Sequence, residues 1–542
     1  MKQIFIVGSG ASAVHFTLSA LKKGHKVTML DVGYRAPENV KPGNTFNQLK
    51  CDLKDPAHYF LGDHFESVIP PDYDKEIYGF PPNKQYIFKH PPGFKETSTG
   101  FEPLFSFAQG GLAEAWTGGS YPFDDNDMKH FPFNYKDIEP YYEEVARRIG
   151  VIGVEDDLSR YFPFHKNLLP GLQLDEHSQL LVDNYEKKRN RLNEKYGIYM
   201  GRNRMAVLSS DRGERKACDY SGRCLWGCPT HSLYVPSLTL NECLDFPGFT
   251  YIPNRLVTHF KYNSKNRVTT VAARSLADNK TEEYQVEYLV LAAGTLSSTM
   301  IYLESLYRQT GEMLKLHGLM DNRQILVPFI NLKMVGKHYN PESYQYHQLA
   351  IGLQTDDKDG KDYIHGQVTT LKTALMQPVL QTMPLDWKTA IFLGRNLHAA
   401  LGVININYSD TRREGNYLTL QPLPPGSDGL STAALAIHYT PPADEKRKIA
   451  HSIKKIKKFM SGLGVLVLSG QSHIRPMGAS VHYSGTLPMS PEPGPHTLSP
   501  NCRSRDFENL YFVDGTSFPF LPAKNLTFTM MANAARVADK EF

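Results

Sequence analysis

The first thirty residues alternate between apolar runs and a short glycine-rich turn. Residues 4–7 are apolar and rich in β-branched side chains, as a buried parallel strand requires. An amphipathic segment then continues to Leu21, and Gly24 is a typical helix stop. A second apolar run at residues 25–30 ends at Asp31. The pattern therefore predicts a strand, a turn, a helix and a second strand.

The turn after the first strand has the sequence GSGASA at residues 8–13. Gly8 permits the tight turn, Gly10 lets backbone amides approach a pyrophosphate, and Ala13 allows the helix to pack closely on the strand. Asp31 lies 23 residues after Gly8, where a carboxylate can bind both ribose hydroxyls. The helix N-terminus also favours phosphate charge, so these features predict a dinucleotide site. The motif alone does not choose between NAD and FAD.

The C-terminal region repeats the pattern of a buried strand and a buried helix. Residues 509–513 predict a strand that runs into an Asp-Gly pair, and residues 527–538, rich in Ala and Met, predict a helix. Residues 367–371 and 401–408 alternate between apolar and polar side chains. This alternation predicts strands of an antiparallel sheet.

Motifs in both halves of the chain resemble the glucose–methanol–choline (GMC) oxidoreductases, which are FAD enzymes. The C-terminal part has VHYSGT around His482, then NLYFVDGT at residues 509–516, then Asn525 before the helix. These match the family's H-x-x-G-T and N-L-Y-V-x-D-G-S segments and its His or Asn before the last helix. The sequences QGGLAEAWTGGS at residues 109–120 and LVLAAGT at residues 289–295 also resemble family segments. Between residues of about 330 and 470 no motif is recognisable.

The resemblance implies an α/β fold, in which a doubly wound, Rossmann-like FAD-binding domain is joined to a discontinuous substrate domain built on an antiparallel sheet. The FAD-binding domain would comprise residues 1–40, 100–150, 200–325 and 475–542. The substrate domain and lid insertions would comprise residues 41–99, 151–199 and 326–474.

The resemblance also implies the flavin contacts. They are Gly8, Gly10, Ala13, Asp31, Gly110, Gly111, Ala115, Trp116, Val257, Ala293, Gly294, Asp514, Gly515 and Thr527. Some relatives attach the flavin through a His in the segment that here contains Ala115 and Trp116. No His is present at that place, so we expect the FAD to be bound non-covalently.

By the same resemblance, His482 is the base or proton relay, and Asn525 hydrogen-bonds the substrate oxygen. Imidazole suits the first role because its ordinary pKa lies near neutral pH, and an amide can steer an oxygen without titrating. A satisfied core histidine is the alternative for His482. A helix N-cap is the alternative for Asn525.

Three of the six cysteines, Cys218, Cys224 and Cys228, form a C-x5-C-x3-C pattern that ends in Cys-Pro. Thiolates at such spacing can ligate an iron–sulfur cluster. The pattern also resembles a structural loop in family members that act on sterols and long-chain alcohols. A cluster would make the chain the catalytic subunit of a dehydrogenase that passes electrons to a small subunit or another acceptor protein. Zinc is disfavoured because no fourth ligand is evident.

The substrate is expected to be a small-molecule alcohol. The W-T-G-G segment after residue 115 favours a sugar or polyol, and the cysteine pattern makes a sterol or long-chain alcohol the second class. Oxidation would proceed by proton abstraction and hydride transfer to flavin N5. A GMC-like flavoprotein with chemistry other than alcohol oxidation is a further alternative.

Charge and hydropathy give no support for nucleic-acid binding or for a membrane span. Sixty basic residues are nearly matched by 56 acidic ones, a net charge of +4, which gives no argument for nucleic-acid binding. No run of 18 apolar residues occurs, so no transmembrane span is expected. The absence of a signal-peptide pattern favours the cytoplasm, with export beside a signal-bearing partner as the alternative.

One basic segment, residues 446–459, has Ile449, Ile453 and Ile456 on one face of a helix. The pattern favours a surface helix packed by this isoleucine stripe over a helix that lies on an anionic membrane or partner.

Overall fold

The computed structural model describes residues 1–36, 45–68, 76, 78–163, 166–338, 340–354, 363–371, 380, 383–423 and 433–542. The α-helices are α1 Ala11–Lys22, α2 Phe46–Asp52, α3 Pro56–Leu61, α4 Asp125–Met128, α5 Tyr135–Ile149, α6 Glu176–Glu186, α7 Arg189–Tyr196, α8 Pro236–Leu244, α9 Thr295–Thr310, α10 Trp387–Leu397, α11 Glu445–Gly462 and α12 Thr527–Glu541.

The strands follow in chain order. They are β1 Gln3–Val7, β2 Lys26–Leu30, β3 Glu96–Thr99, β4 Val151–Ile152, β5 Leu168–Leu169, β6 Ile198–Arg202, β7 Phe249–Ile252, β8 Arg255–Tyr262, β9 Val268–Ser275, β10 Thr281–Gln285, β11 Tyr288–Leu291, β12 Leu316–His317, β13 Gln324–Asn331, β14 Leu349–Gln354, β15 Tyr363–Thr370, β16 Leu401–Asn407, β17 Asp410–Thr411, β18 Tyr417–Pro422, β19 Ala433–His438, β20 Val465–Val467, β21 His473–Ile474, β22 Leu510–Phe512 and β23 Phe520–Leu521.

A parallel sheet carries the predicted N-terminal unit at its centre. In the described part of the chain its order is β22-β11-β1-β2-β7, so strands far apart in sequence become neighbours. Ile4 of β1 pairs with Tyr288 on one side and with Val27 on the other. The helix α1 packs against α12, and almost all of α1 and most of α12 are buried. The observed β1, α1, β2, β22 and α12 confirm the elements predicted from the apolar pattern, with bounds shifted by one to three residues.

The second large sheet is antiparallel. Among the described residues it runs β20-β13-β16-β15-β14-β6, with β21 also paired to β13. Alternate side chains such as Ile325, Val327 and Phe329 face one way into an apolar core shared with α11. Gln324 and Leu326 face the other way and line a cavity. The expected α/β fold with one parallel and one antiparallel sheet is confirmed.

The basic helix α11 is a packed surface helix. Ile449 and Ile456 are buried in the core behind the antiparallel sheet, and Ile453 is half-buried against it. The predicted isoleucine stripe is therefore confirmed as the packing face.

Two strands cross the domain boundaries that the sequence predicts. The strand β13 crosses the boundary predicted between residues 325 and 326, and β6 crosses the one predicted at residue 200. Strand β3 pairs with β19 in a small sheet of its own. The domain limits stay a prediction. No helix in the described ranges has the length and apolarity that crossing a bilayer needs.

Candidate active site

A cavity of about 610 Å³ lies between the two large sheets. At one end it is bounded by the carboxyl ends of β1 and β2, where Val7 and Leu30 reach its wall. Open parallel sheets bind their ligands at this position, outside the carboxyl ends of the strands. At the other end it is bounded by side chains of β13, β15 and β16. The cavity therefore connects the predicted nucleotide site with the antiparallel sheet.

Most of the residues predicted from the sequence lie on this cavity wall. They are Gly8, Gly10, Asp31, Gly111, Ala115, Trp116, Val257, Ala293, Gly294, His482, Asp514, Gly515, Asn525 and Thr527. Ala13 is fully buried and Gly110 donates its amide to Ser9 Oγ at 2.9 Å, so both lie behind the wall. The roles assigned to these residues stay predictions.

Gly8 and Gly10 are glycines for different physical reasons. Gly8 has a φ of 94°, and an added Cβ would come within 2.7 Å of the carbonyl oxygen of Ala292 on the neighbouring strand connection. Gly10 has ordinary extended backbone, and a Cβ there would meet no atom closer than 4.0 Å. Gly8 therefore serves the packing of the sheet, whereas the side chain missing at Gly10 leaves room in the cavity. This room lies at the N-terminus of α1, where unpaired amides favour a phosphate.

Asp31 is held in place by two hydroxyl groups. Ser9 Oγ donates to its Oδ2 at 2.5 Å and Tyr251 donates to the same oxygen at 3.0 Å. Burial raises the pKa of Asp31 to about 7, and these hydrogen bonds oppose that shift. Ser9 also accepts the amide of Gly110, so the glycine turn, the segment at residue 110 and the carboxyl form one unit.

Asp514 fixes the second glycine segment of the cavity. It accepts hydrogen bonds from the amide of Gly294 at 3.0 Å, from Ser298 Oγ at 2.5 Å and from the amide of Thr516 at 3.0 Å. Burial raises its pKa above the ordinary value. These contacts make Asp514 an acceptor of hydrogen bonds from two backbone amides and one hydroxyl group. It thereby holds Gly294, the N-cap residue of α9, beside Gly515.

His482 lies in the cavity wall with a defined tautomer. Its Nδ1 is 3.1 Å from Oδ1 of Asn322. The Asn322 amide cannot be reversed, because its Nδ2 donates to the carbonyls of Tyr408 at 2.8 Å and Pro522 at 2.9 Å. The oxygen therefore faces the imidazole, so Nδ1 carries the proton and Nε2 carries the lone pair.

The electrostatics of His482 keep the ring neutral. Burial, with a smaller contribution from the positive charge of Arg475, lowers the pKa of His482 to about 4. The backbone before it is strained, since Val481 has a φ of 62°, which is rare for a β-branched residue. Such strain typically costs about 1–3 kcal/mol and concentrates at functional sites. A neutral imidazole with Nε2 unprotonated can accept a proton at neutral pH.

Asn525 is oriented by the antiparallel sheet. Gln367 Nε2 donates to Asn525 Oδ1 at 3.0 Å, which leaves Nδ2 as the free donor end of the Asn525 amide. Asn525 is not the helix N-cap, because α12 begins at Thr527, after Leu526, and has no side-chain cap. The preceding Lys524 is buried and donates to Asp124, Asp127 and the carbonyl of Tyr161 at 2.6–2.9 Å.

The sequence analysis did not identify the residues that orient His482 and Asn525. Asn322 lies in no recognisable motif, and its orientation depends on carbonyl groups of residues far along the chain. Gln367 lies in a strand whose alternation is visible in the sequence, which places it on the same face as Thr369. The alternation of side chains along this strand could have identified Gln367 as a residue of the cavity wall.

The cysteine segment forms part of an apolar packing region. Cys218, Cys224 and Cys228 contact the cluster that contains Val207 and Leu233. Burial raises the pKa of the Cys218 thiol to about 11, and Cys228 Sγ lies 3.1 Å from Ser232 Oγ. A cysteine binds a metal as the thiolate, and burial disfavours the thiolate of Cys218. Within the described ranges, no group of three or more His, Cys, Asp or Glu side chains is arranged to hold a metal ion.

Comparison with known proteins finds a family model that matches part of this cavity. The model described as GMC oxidoreductase matches residues 412–534, which contain His482, Asp514 and Asn525. Over these residues the chain is similar to the GMC oxidoreductases. This match and the relatives below support an FAD-dependent oxidoreductase that acts on CH–OH groups. The glycine turn, the room at Gly10 and the N-terminus of α1 fit the dinucleotide part of FAD.

Relatives within the GMC oxidoreductases are distant in sequence. The 6'''-hydroxyparomomycin C oxidase of Streptomyces lividus is 20% identical over 77% of this chain and 74% of its own length. The 2-methyl-1,2-propanediol dehydrogenase of Mycolicibacterium austroafricanum is 22% identical over 99% of this chain and 94% of its own. The fructose dehydrogenase large subunit of Gluconobacter japonicus is 21% identical over 99% and 97%.

The fold is shared with solved structures of even lower identity. A crystal structure of formate oxidase superimposes with a TM-score of 0.60 at 10% identity, covering 99% of this chain and 97% of its own. At such identity the likeness establishes the fold of this chain and not its substrate.

Proposed function

We propose that this GMC oxidoreductase oxidises a hydroxyl-bearing carbon of a sugar or sugar-derived polyol, with His482 as the base. The observation that carries the proposal is the arrangement of His482 and Asn525 on the wall of one cavity that also contains the nucleotide-binding turn. Each of the two side chains is oriented by its own amide partner, Asn322 or Gln367.

Bound FAD would supply the acceptor for the hydride that leaves the substrate carbon. His482 takes the hydroxyl proton at Nε2, and Asn322 stabilises the resulting imidazolium through its hydrogen bond to Nδ1. Asn525 donates Nδ2–H to the substrate oxygen as negative charge develops on it.

The choice of a polyhydroxylated substrate is supported by the polarity of the sheet face. Gln324, Gln367, Thr369 and Asn405 all line the cavity from this side. Oδ1 of Asn405 and the hydroxyl of Tyr346 are buried without a hydrogen-bond partner among the described residues. Buried polar atoms are normally paired, so substrate hydroxyls would complete them. The names of the three relatives refer to a hydroxyparomomycin, a propanediol and fructose.

The electron acceptor of the reduced enzyme is proposed to be oxygen, a quinone or a partner protein. A partner chain is supported by the relative that is named a large subunit. The proposal includes no iron–sulfur cluster, because within the described ranges no group of three or more His, Cys, Asp or Glu side chains is arranged to hold a metal ion. The cytoplasm is the proposed location.

The decisive experiment is anaerobic reduction of the purified holoenzyme by a panel of alcohols, followed by the loss of flavin absorbance. The panel contains aldoses, polyols, short diols, long-chain alcohols and a sterol. We expect sugars or polyols to reduce the flavin fastest, and His482→Ala to bind flavin but be reduced about 10²- to 10⁴-fold more slowly. Preference for the sterol or long-chain alcohols would overturn the substrate class. Failure of every alcohol, with dithionite still reducing the flavin, would overturn the reaction.

A further inference from the structure

Large apolar side chains are concentrated on one part of the surface. Leu332, Val335, Leu385, Trp387, Phe392 and Leu466 are each 46–65% exposed. They are six of the eleven large apolar residues that are exposed in the described part of the chain. We call these six residues the apolar patch. Scattered exposed leucines are ordinary, whereas a contiguous group marks a surface that binds something.

Hydrogen bonds join the segments that carry the apolar patch. The amide of Gly336 donates to the carbonyl of Asn396 at 2.8 Å, which places Val335 beside the C-terminal half of α10. Within α10, Asn396 Nδ2 donates to the carbonyl of Phe392 at 2.8 Å. Across the antiparallel pair of β13 and β20, Leu466 pairs with Ile330, two residues before Leu332. The segments that carry the six side chains are therefore neighbours in the fold.

Helix α10 shows why this area is not part of the core. The residues that it buries fully are small, Ala390 and Gly394, whereas Trp387 and Phe392 are exposed. The other large apolar residues of the helix, Ile391, Leu393 and Leu397, are half-buried. Two large apolar side chains on the exposed side of a surface helix are available to contact another medium.

The charge around the apolar patch is mainly positive. Lys333, Lys337, Lys388 and Arg395 are exposed in the same two segments, residues 332–338 and 385–397. Lys337 lies 3.4 Å from Glu176. The one carboxylate within these segments, Asp386, accepts the amide of Thr389 and caps α10. Exposed Trp, Phe and Leu with interspersed Lys and Arg are typical of a surface that lies in the headgroup region of an anionic bilayer.

The apolar patch also adjoins the active site. Ile330 pairs with Leu401 at the start of β16, and Val403, two residues later on the same face, lines the cavity. A protein that rests on a membrane through the apolar patch would hold this end of the cavity close to the lipid. Two copies meeting through the same patch would bring its cations against each other, which disfavours a self-association face.

We propose that the apolar patch docks this protein on an anionic lipid surface without spanning it. Trp387 and Phe392 enter the interface between headgroups and acyl chains, and Lys333, Lys388 and Arg395 contact the acidic headgroups. This docking is independent of the substrate that the active site accepts.

The test is flotation of the holoenzyme with vesicles of phosphatidylcholine, with and without phosphatidylglycerol. We expect binding to the anionic vesicles, weakening with salt, and a blue shift of tryptophan emission that is lost in Trp387→Phe. Lys388→Glu and Phe392→Ser should each weaken binding about fivefold or more, since one cation near an anionic surface is worth about that factor. The matched controls, Lys265→Glu and Leu244→Ser, change an exposed cation and an exposed leucine elsewhere and should bind as the unaltered protein does.

Equal binding of patch and control variants would overturn the proposal, as would the absence of binding to any vesicle. A dimer that the Phe392→Ser change dissociates, in protein that does not bind vesicles, would assign the patch to a second copy instead. Flavin reduction by alcohols, measured without vesicles, reports on the catalytic proposal separately, so the two can fail independently.

Discussion

The amide oxygen of Asn322 lies 3.1 Å from Nδ1 of His482, and the nitrogen of the same amide is committed to two backbone carbonyls. This relationship fixes which imidazole nitrogen can act as a base. We expect His482→Ala to lower kcat about 10²- to 10⁴-fold and Asn322→Ala to lower it about tenfold, both with FAD retained. Steady-state kinetics with flavin quantification checks this, and the exposed His451→Ala is the control. Normal kcat in Asn322→Ala would show that another group sets the tautomer.

The hydrogen bond from Gln367 to Asn525 makes a second prediction. Asn525→Ala removes a donor to the developing oxyanion and should lower kcat about 10²- to 10³-fold. Gln367→Glu cannot donate to Asn525 Oδ1, so the Asn525 amide should lose its orientation and kcat should fall about tenfold, with a smaller change in KM. The exposed Gln421→Glu is the matched control. A change in KM alone would limit Gln367 to substrate binding.

The pH profile follows from the lowered pKa of His482. The ring must be neutral to accept a proton, and its pKa is lowered to about 4 by burial and by Arg475. Activity should therefore be lost as pH falls through about 4, and this group should cause no loss between about pH 5 and 8. Replacing Arg475 by Met together with Glu76 by Gln removes a buried ion pair, and the acid limb of kcat/KM should move upward. An acid limb near 6.5 in the unaltered enzyme would contradict the assignment.

Substitutions of Gly8 and Gly10 should have different effects, the first on protein stability and the second on FAD binding. Gly8→Ala forces a Cβ against the Ala292 carbonyl at a positive φ, so it should lower the free energy of unfolding by about 1–3 kcal/mol. Gly10→Val has space in the cavity, so the apoprotein should unfold at an unchanged temperature but bind FAD at least about tenfold more weakly. Thermal unfolding and FAD titration distinguish the two. Unchanged FAD affinity in Gly10→Val would place the pyrophosphate elsewhere.

The cysteine segment makes an analytical prediction. Because its thiols pack among apolar side chains, anaerobically purified protein should show a flavin spectrum without stoichiometric iron or acid-labile sulfide. Cys224→Ser should leave the flavin spectrum unchanged. Stoichiometric iron and sulfide that are lost in this variant would make the protein an electron-transferring subunit.

The sequence is most informative where function depends on contiguous residues. The strand, turn and helix that contain Gly8 and Gly10 were predicted almost to the residue, because local periodicity determines them. Asn322 and Gln367 were not predicted, since their roles arise from the register of strands and loops that lie far apart in the chain. The apolar patch was not anticipated either, because a helix that turns its large side chains outward has the same sequence pattern as one that buries them.

The order of strands in the parallel sheet has a consequence for the synthesis of this protein on the ribosome. β1 is made early, yet its neighbour β11 begins at Tyr288 and the next strand, β22, begins at Leu510. α1 must also wait for α12 to cover it. The nascent chain therefore keeps apolar surface exposed until β22 and α12 have been made, which invites chaperone binding and aggregation. We expect FAD capture to follow the synthesis of these two elements, so chains that stop short of Leu510 should be degraded rather than accumulate as partly active enzyme.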